Sequence, residues 1–191
     1  MANINKFSPV SPDTYLKAEK DMALAKFGHL NAIVDAYNTL DTAVTFGMPV
    51  ETVTTSDFTK NNDGTLATVT GLSVNVVAGA TYVFKAYLPT SIAATAQGIK
   101  VAIGGTSTWT SINETAYAYT ASSINTGNNT TATPGTTVIS TTTTAFTSII
   151  IEGTVKINAA GTLTVQMAQQ AAGANDTKVL TNASFTVTRV S

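Results

Sequence analysis

Glu114 and Glu152 are the two glutamates of the second half of the chain, and their carboxyl groups could carry acid–base chemistry. A glycoside hydrolase needs two carboxyl groups about 5–10 Å apart, and the pKa of one of them must be raised. That distance would require the two glutamates to lie on facing strands. No sequence spacing favours this arrangement over two unrelated carboxylates, so we do not expect a catalytic pair.

The other polar candidates are equally isolated in the sequence. His29 is the single histidine, and neither a nucleophile nor an orienting acid lies near it in sequence. We expect it to pack or to form hydrogen bonds on a helix, with pH switching as the alternative. Asp57, Asp63 and the Asn61–Asn62 pair could offer oxygen ligands, but their spacing does not match a 12-residue calcium loop. We therefore expect an ordinary turn, and neither a metal nor a cofactor.

Trp109, Tyr117 and Tyr119 form the one aromatic cluster that is surrounded by polar residues. Aromatic rings stack on sugars and dominate protein interaction hot spots. The same rings could instead cover one end of a hydrophobic core. Both interpretations, a contact surface for a ligand and a core cover, remain open from the sequence.

Composition favours a structural or binding module over an enzyme. Only 11% of the residues are charged, against about 25% in a typical soluble domain, and cysteine is absent. Disulfides, thiolate chemistry and cysteine-ligated zinc are thereby excluded. A net charge of −1 argues against nucleic-acid binding, and no stretch approaches the ~18 apolar residues of a membrane helix.

The first 40 residues follow a helical pattern behind an extended arm. Pro9 and Pro12 predict that residues 1–13 are extended, and capping side chains precede a helix predicted over residues 14–40. Its apolar positions recur at heptad spacing and require a partner surface, which could be the rest of this chain or the same helix in a second copy. This oligomer seam consists of Leu16, Ala23, Phe27, Leu30, Val34 and Tyr37.

After a connector predicted at residues 41–65, the apolar period changes to two. In residues 66–191 short alternating segments follow one another at 8–12-residue spacing without helices between them. This pattern predicts a mainly β fold, an antiparallel sandwich or jelly roll. We also predict a hairpin turn at Asn158–Gly161 and a long exposed loop over residues 121–135.

Three segments carry a family resemblance. They are GLSVNVVAGATYVFKAYL, GIKVAIGGTST and IIIEGTVKINAAGTLTVQMAQQ, within residues 66–190. Together they resemble small β-sandwich structural proteins of tailed bacteriophages, of the capsid-decoration or head-fibre type. A weaker likeness, based on fold analogy alone, is to the trimeric jelly rolls of the tumour-necrosis-factor type.

The resemblance implies a component of the virion that is not an enzyme. We expect a homotrimer that decorates a capsid or forms a short fibre element and contacts the major capsid protein or other virion proteins. Residues 1–40 lie outside the resemblance, and their physical character suggests docking through Phe7 and Val10. The alternative is a receptor- or carbohydrate-binding tip that uses Trp109, Tyr117 and Tyr119.

Overall fold

A computed structural model describes residues 46–141 and 145–191 of the chain, and in these residues the regular structure is all β. The arm and the helix predicted over residues 1–40 lie outside the described residues, as does His29. Twelve strands are present: β1 (Pro49–Val53), β2 (Phe58–Lys60), β3 (Ala67–Val76), β4 (Thr81–Ile92), β5 (Ile99–Gly104), β6 (Thr108–Tyr119), β7 (Ile124–Asn129), β8 (Thr137–Thr141), β9 (Ser148–Ala159), β10 (Gly161–Ala168), β11 (Thr177–Val179) and β12 (Ser184–Arg189).

Strands β3 to β10 have the order of a jelly roll. The smaller sheet runs β3-β10-β5-β8, and the larger sheet contains the run β4-β9-β6-β7. Each pairing is antiparallel, and the first strands of the series pair with the last ones. The predicted mainly β, antiparallel fold is confirmed for the described residues.

Four further strands enlarge the second sheet. Strand β12 pairs with β4 and β1 pairs with β12, while β11 pairs with both β2 and the end of β4. Strands β1 and β2 fall in residues 41–65, the segment predicted as a connector. Both are short, and their side chains are mostly exposed or half-buried, so the apolar alternation that identifies core strands is missing.

The hydrophobic core lies between the two sheets. Strict alternation along β4 buries Tyr82, Phe84, Ala86 and Leu88 and exposes Val83, Lys85 and Tyr87, as the sequence pattern predicts. Strand β10 contributes Leu163, Val165 and Met167 from the other sheet to the same core. The rings of Phe84 and Phe185 lie 6.4 Å apart at its centre.

The hairpin predicted at Asn158–Gly161 is wrong. Strand β9 pairs with β4 and β6, whereas β10 pairs with β3 and β5, so the chain crosses between sheets at Ala160. The apolar side chains of both strands still point into one core, which is why the alternation looked like that of a hairpin. A turn-forming sequence between two alternating segments does not distinguish a hairpin from a corner between two sheets.

The long loop predicted over residues 121–135 is also wrong in part, because Ile124–Asn129 forms strand β7. Strands β6 and β7 make the hairpin between consecutive strands of the jelly roll. At its turn the Thr120 hydroxyl accepts hydrogen bonds from the backbone N–H groups of Ser122 and Ser123, at 3.2 and 2.9 Å. Strand β7 is an edge strand of mostly exposed polar residues, so it carries no apolar period.

Candidate functional site

Glu114 and Glu152 lie on opposite faces of the larger sheet. On β6 the side chain of Glu114 points into the core and is 1% exposed, while Thr115 beside it points outward. Glu152 on β9 is the register partner of Thr115 and so lies on the outer face. The two carboxyl groups are therefore separated by the sheet, and they do not form the pair that glycoside hydrolysis needs.

The carboxyl group of Glu114 is held by one side chain. Asn129 on β7 donates from Nδ2 to Oε1 at 2.7 Å, and its own Oδ1 accepts from the backbone N–H of Thr131 at 2.8 Å. The other oxygen, Oε2, has no hydrogen-bond partner in the described part of the chain. Burial raises the pKa of Glu114 to about 7, although the hydrogen bond from Asn129 acts in the opposite direction.

Gly153 lets β9 approach the backbone of β6 closely at Glu114. It is the register partner of Glu114 on β9, and an added Cβ there would lie 2.8 Å from the Glu114 Cα and 2.3 Å from the Asn113 carbonyl oxygen. A side chain at position 153 would force the two strands apart. The arrangement is a buried polar pair inside a β core, with no second acid to share a reaction.

The oxygen-rich segment around Asp57 and Asp63 forms turns. Asp63 accepts from Lys60 Nζ at 2.6 Å and from the backbone N–H of Thr65 at 2.7 Å. The Lys60 hydrogen bond lowers the pKa of Asp63 to about 2. Asp57 accepts from the Thr181 backbone N–H at 3.0 Å. Within the described residues, no group of three or more His, Cys, Asp or Glu side chains could hold a metal ion.

The three aromatic residues singled out in the sequence do not form one cluster. Trp109 is 5% exposed and belongs to the core, where its Nε1 has no hydrogen-bond partner in the described residues. Tyr117 and Tyr119, further along β6, lie half-buried on the outer face of the sheet. A β-bulge between Trp109 and Ser111 interrupts the register near the start of the strand.

Tyr117 and Tyr119 belong to a larger apolar surface that spans four strands. Ile150 on β9 pairs with both Tyr117 and the exposed Tyr87 of β4, so these three side chains lie in one row across the sheet. Tyr119 pairs with Ile124 on β7 in the next row. We call this surface the tyrosine face, and it consists of Tyr87, Tyr117, Tyr119, Ile124 and Ile150.

The row beside the tyrosine face carries two opposite charges. Lys85 pairs in register with Glu152, and Lys85 Nζ lies 3.6 Å from Glu152 Oε2. The two side chains are 60% and 45% exposed, so water screens this ion pair strongly. Sequence alternation placed Tyr87 and Lys85 on the outer face of β4, but the register across the sheet was needed to join Tyr87 to Tyr117.

A second apolar surface lies at the opposite edge of the larger sheet. Met48, Val50, Val77, Tyr82 and Val187 line a cleft of about 170 Å³ beside β1 and β3, together with Val74, Asn75 and Arg189. Met48 and Val50 are 52% and 46% exposed. The sequence prediction missed this cleft because strand β1 lacks a regular apolar period.

The predicted docking residues Phe7 and Val10 and the six residues of the predicted seam lie outside the described part of the chain. In the part that is described, no helix is long and apolar enough to span a membrane.

Comparisons with known proteins assign no family. No family model matches the sequence, and no curated protein matches it. A solved structure of infectious bursal disease virus, Gx strain, is 14% identical, with a TM-score of 0.23 over 75% of this chain and 37% of that chain. The VP2 subviral particle of infectious bursal disease virus is 13% identical, with a TM-score of 0.21 over 75% of this chain and 41% of that chain. The chain thus spans about two fifths of those chains, and similarities this low assign neither fold nor function.

Proposed function

We propose that this chain is a non-enzymatic structural protein of a virus particle, of the tailed-phage capsid-decoration or head-fibre type. The β-rich part is a head that assembles with other copies, and residues 1–40 attach it to the major capsid protein or to other virion proteins. The motif resemblance in residues 66–190 supports this proposal. The surface of the head supports it independently.

Exposed apolar side chains on a weakly charged head carry the proposal. Large hydrophobic side chains that are 44–57% exposed are Phe46, Met48, Val50, Val53, Val77, Val83, Tyr87, Ile124 and Val190. Met48, Val50 and Val77 line the cleft beside β1, and Tyr87 and Ile124 belong to the tyrosine face. A monomer that stays in solution seldom leaves such patches uncovered. A chain of net charge −1 also has little electrostatic repulsion to prevent association.

The proposed oligomer is a homotrimer clamped by the helical seam. Leu16, Ala23, Phe27, Leu30, Val34 and Tyr37 supply one apolar stripe at heptad spacing. In proteins most of the stability of a helix comes from packing of its apolar face against a partner. Closed cyclic symmetry is the norm for homo-oligomers and suits a symmetric attachment point.

The docking proposal is tested by deleting residues 1–13 from the full chain. The variant should fold and assemble but lose binding to particles that lack the protein, because Phe7 and Val10 are removed. Each of these side chains contributes about 1.5–3 kcal/mol if it becomes fully buried on the particle. Replacing Ser8 and Ser11 with Ala is the matched control and should leave binding unchanged. Wild-type occupancy by the deletion variant would place the anchor outside residues 1–13.

The second candidate function is a receptor- or carbohydrate-binding tip. The outward position of Tyr117 and Tyr119 favours it, since exposed aromatic rings bind the apolar faces of sugars. A glycan array should then show binding by the wild-type chain and loss of it in Tyr117→Ala. Trp109 is not a candidate contact, because it lies in the core. If the wild-type chain binds no glycan on the array, the carbohydrate-binding function is excluded and the structural role is retained.

A further inference from the structure

We propose that the tyrosine face is an interface between two copies of this chain, whose larger sheets pack face to face. The two copies are related by a two-fold axis that lies in the plane of the interface, parallel to the strands and over the line midway between β4 and β9. The inference deepens the assembly proposed above and rests on it, but it uses a surface separate from the helical seam. The partner is a second copy because the charges of this face complement one another under that rotation.

Strand register fixes which residues would meet. A two-fold axis parallel to the strands and midway between β4 and β9 places β4 of one copy opposite β9 of the other, row by row. Tyr87 pairs with Ile150 and Lys85 with Glu152 within one chain. In the two-copy arrangement, Tyr87 of each copy therefore faces Ile150 of the other, and Lys85 faces Glu152.

One alternative in-plane axis is unfavourable because of these charges. A two-fold axis perpendicular to the strands and passing through the Lys85–Glu152 row would place Lys85 opposite Lys85 and Glu152 opposite Glu152. Like charges in contact repel one another and oppose association. Both axes keep the strands of the two sheets aligned, as in common face-to-face packing, but the parallel axis creates two opposite-charge contacts.

Two outward residues of β12 beside the tyrosine face also fit this arrangement. Ser184 of β12 pairs with Tyr87 on the outer side of β4, so it occupies the column opposite the partner copy's Tyr117. A phenol hydroxyl and a serine hydroxyl can donate and accept hydrogen bonds with one another. Thr186 pairs with Lys85 and Thr115 pairs with Glu152, so the same rotation places Thr186 opposite Thr115 of the partner copy.

The size of the face sets the strength of the interface. The arrangement covers β12, β4, β9 and β6, about 4.8 Å apart, and the five outward rows that pair β4 with β9, about 6.8 Å apart, which gives roughly 500 Å² per copy. Two copies then bury about 1,000 Å², which is at the lower limit for specific protein–protein contacts. We therefore expect a weak contact in solution that becomes strong when several copies are held together on one assembly.

Charge reversal on the full chain provides the test. Lys85→Glu places two negative charges in the Lys85–Glu152 row, and Glu152→Lys places two positive charges there. Like charges then face each other across the axis, so each variant alone should associate at least about tenfold more weakly than wild type. An equal mixture of the two should associate with wild-type strength, because every contact across the axis again joins opposite charges. Lys100→Glu, on β5 of the smaller sheet and therefore away from this face, is the control with the same charge change and should behave as wild type.

Sedimentation velocity at low and high salt reads out this experiment. The species present at high salt defines the seam oligomer, and heavier species at low salt report the tyrosine face. A mixture that associates no better than its two components overturns the interface, even if the seam oligomer is intact. A monomer at high salt overturns the seam instead. Loss of glycan binding in Tyr117→Ala, with association insensitive to both charge reversals, assigns the face to sugar and overturns the interface.

Discussion

Burying a carboxyl group at Glu114 is costly for this fold. Its surroundings are apolar, and Asn129 satisfies only one of its two oxygens. The ionised form therefore lacks both water and a cation, and the pKa rises to about 7 from an ordinary value of 4.5. In the unfolded chain the same group ionises at the ordinary value. Folding consequently favours the protonated form.

This difference predicts that acid stabilises the head. The contribution of Glu114 is fully present below pH 4.5 and is lost as the pH rises through about 7. About 3 kcal/mol of unfolding free energy should disappear over this interval, at about 1.4 kcal/mol for each unit of pKa difference. Glu114→Gln removes the titration, so its urea unfolding profile should be flatter between pH 4.5 and 8, and it should be more stable than wild type at pH 8.

Glu51→Gln is the control, because its side chain is exposed on β1 and lies outside the proposed contact. It should preserve the pH profile of the wild type. If Glu114→Gln and wild type lose stability in parallel as the pH rises, the buried carboxyl group of Glu114 is not the source of the pH dependence.

At the scale of strands, Gly71 shows how a local irregularity sets the register. In β3 the buried residues Val69 and Leu72 are separated by two exposed positions instead of one, and the pairing with β10 shifts there. Gly71 has a φ of +93°, and an added Cβ would lie 3.1 Å from the Val53 carbonyl oxygen. The bulge therefore requires a residue without a side chain.

Gly71→Ala should destabilise the head by about 1–2 kcal/mol, because it adds backbone strain and a close contact with β1. The midpoint of chemical denaturation measures this loss. Gly64→Ala is the matched control: the nearest atom to its Cβ would be the Gln169 carbonyl oxygen at 3.6 Å, an ordinary contact. Equal stability of the two variants would contradict the role of the bulge.

The strands that bury an alternating set of apolar residues could be predicted from the sequence, and the mostly exposed strands β1, β2 and β7 could not. In β4 and β12 alternation identifies both the strand and its inward face. Strand β7 consists of INTGNN and exposes most of its side chains, so no apolar period marks it. The jelly-roll order depends on pairing between distant strands, such as β3 with β10, which local patterns do not encode.

The residues of the candidate site could also be predicted only in part, because their grouping depends on pairing between distant strands. Tyr117 and Tyr119 could be identified from their polar surroundings, but Trp109 lies on the other side of the sheet and the sequence did not separate it from them. Tyr87 and Ile150 join the surface only through the register of β4, β9 and β6. Face and register are long-range properties, whereas the sequence pattern reports only local alternation.

For the whole molecule, the proposal joins a neutral, apolar head to a heptad-patterned segment. The exposed cleft beside β1 and the tyrosine face both offer surface for association, and the predicted seam supplies a third contact. Binding to neighbouring subunits stabilises the folded state of a protein of this kind. The central claim is therefore that the full chain is an oligomer in its functional state.

Sedimentation equilibrium of the full chain tests this claim most directly. At about 0.5 M salt, which screens the contact between Lys85 and Glu152, the account predicts three times the 19.7 kDa mass of one chain at micromolar concentration. Replacing the seam residues Phe27 and Leu30 with Ser should lower the mass to that of a monomer, whereas the same change at Asn31 and Asn38 should not. A wild-type chain that sediments as a monomer throughout the micromolar range would contradict the account.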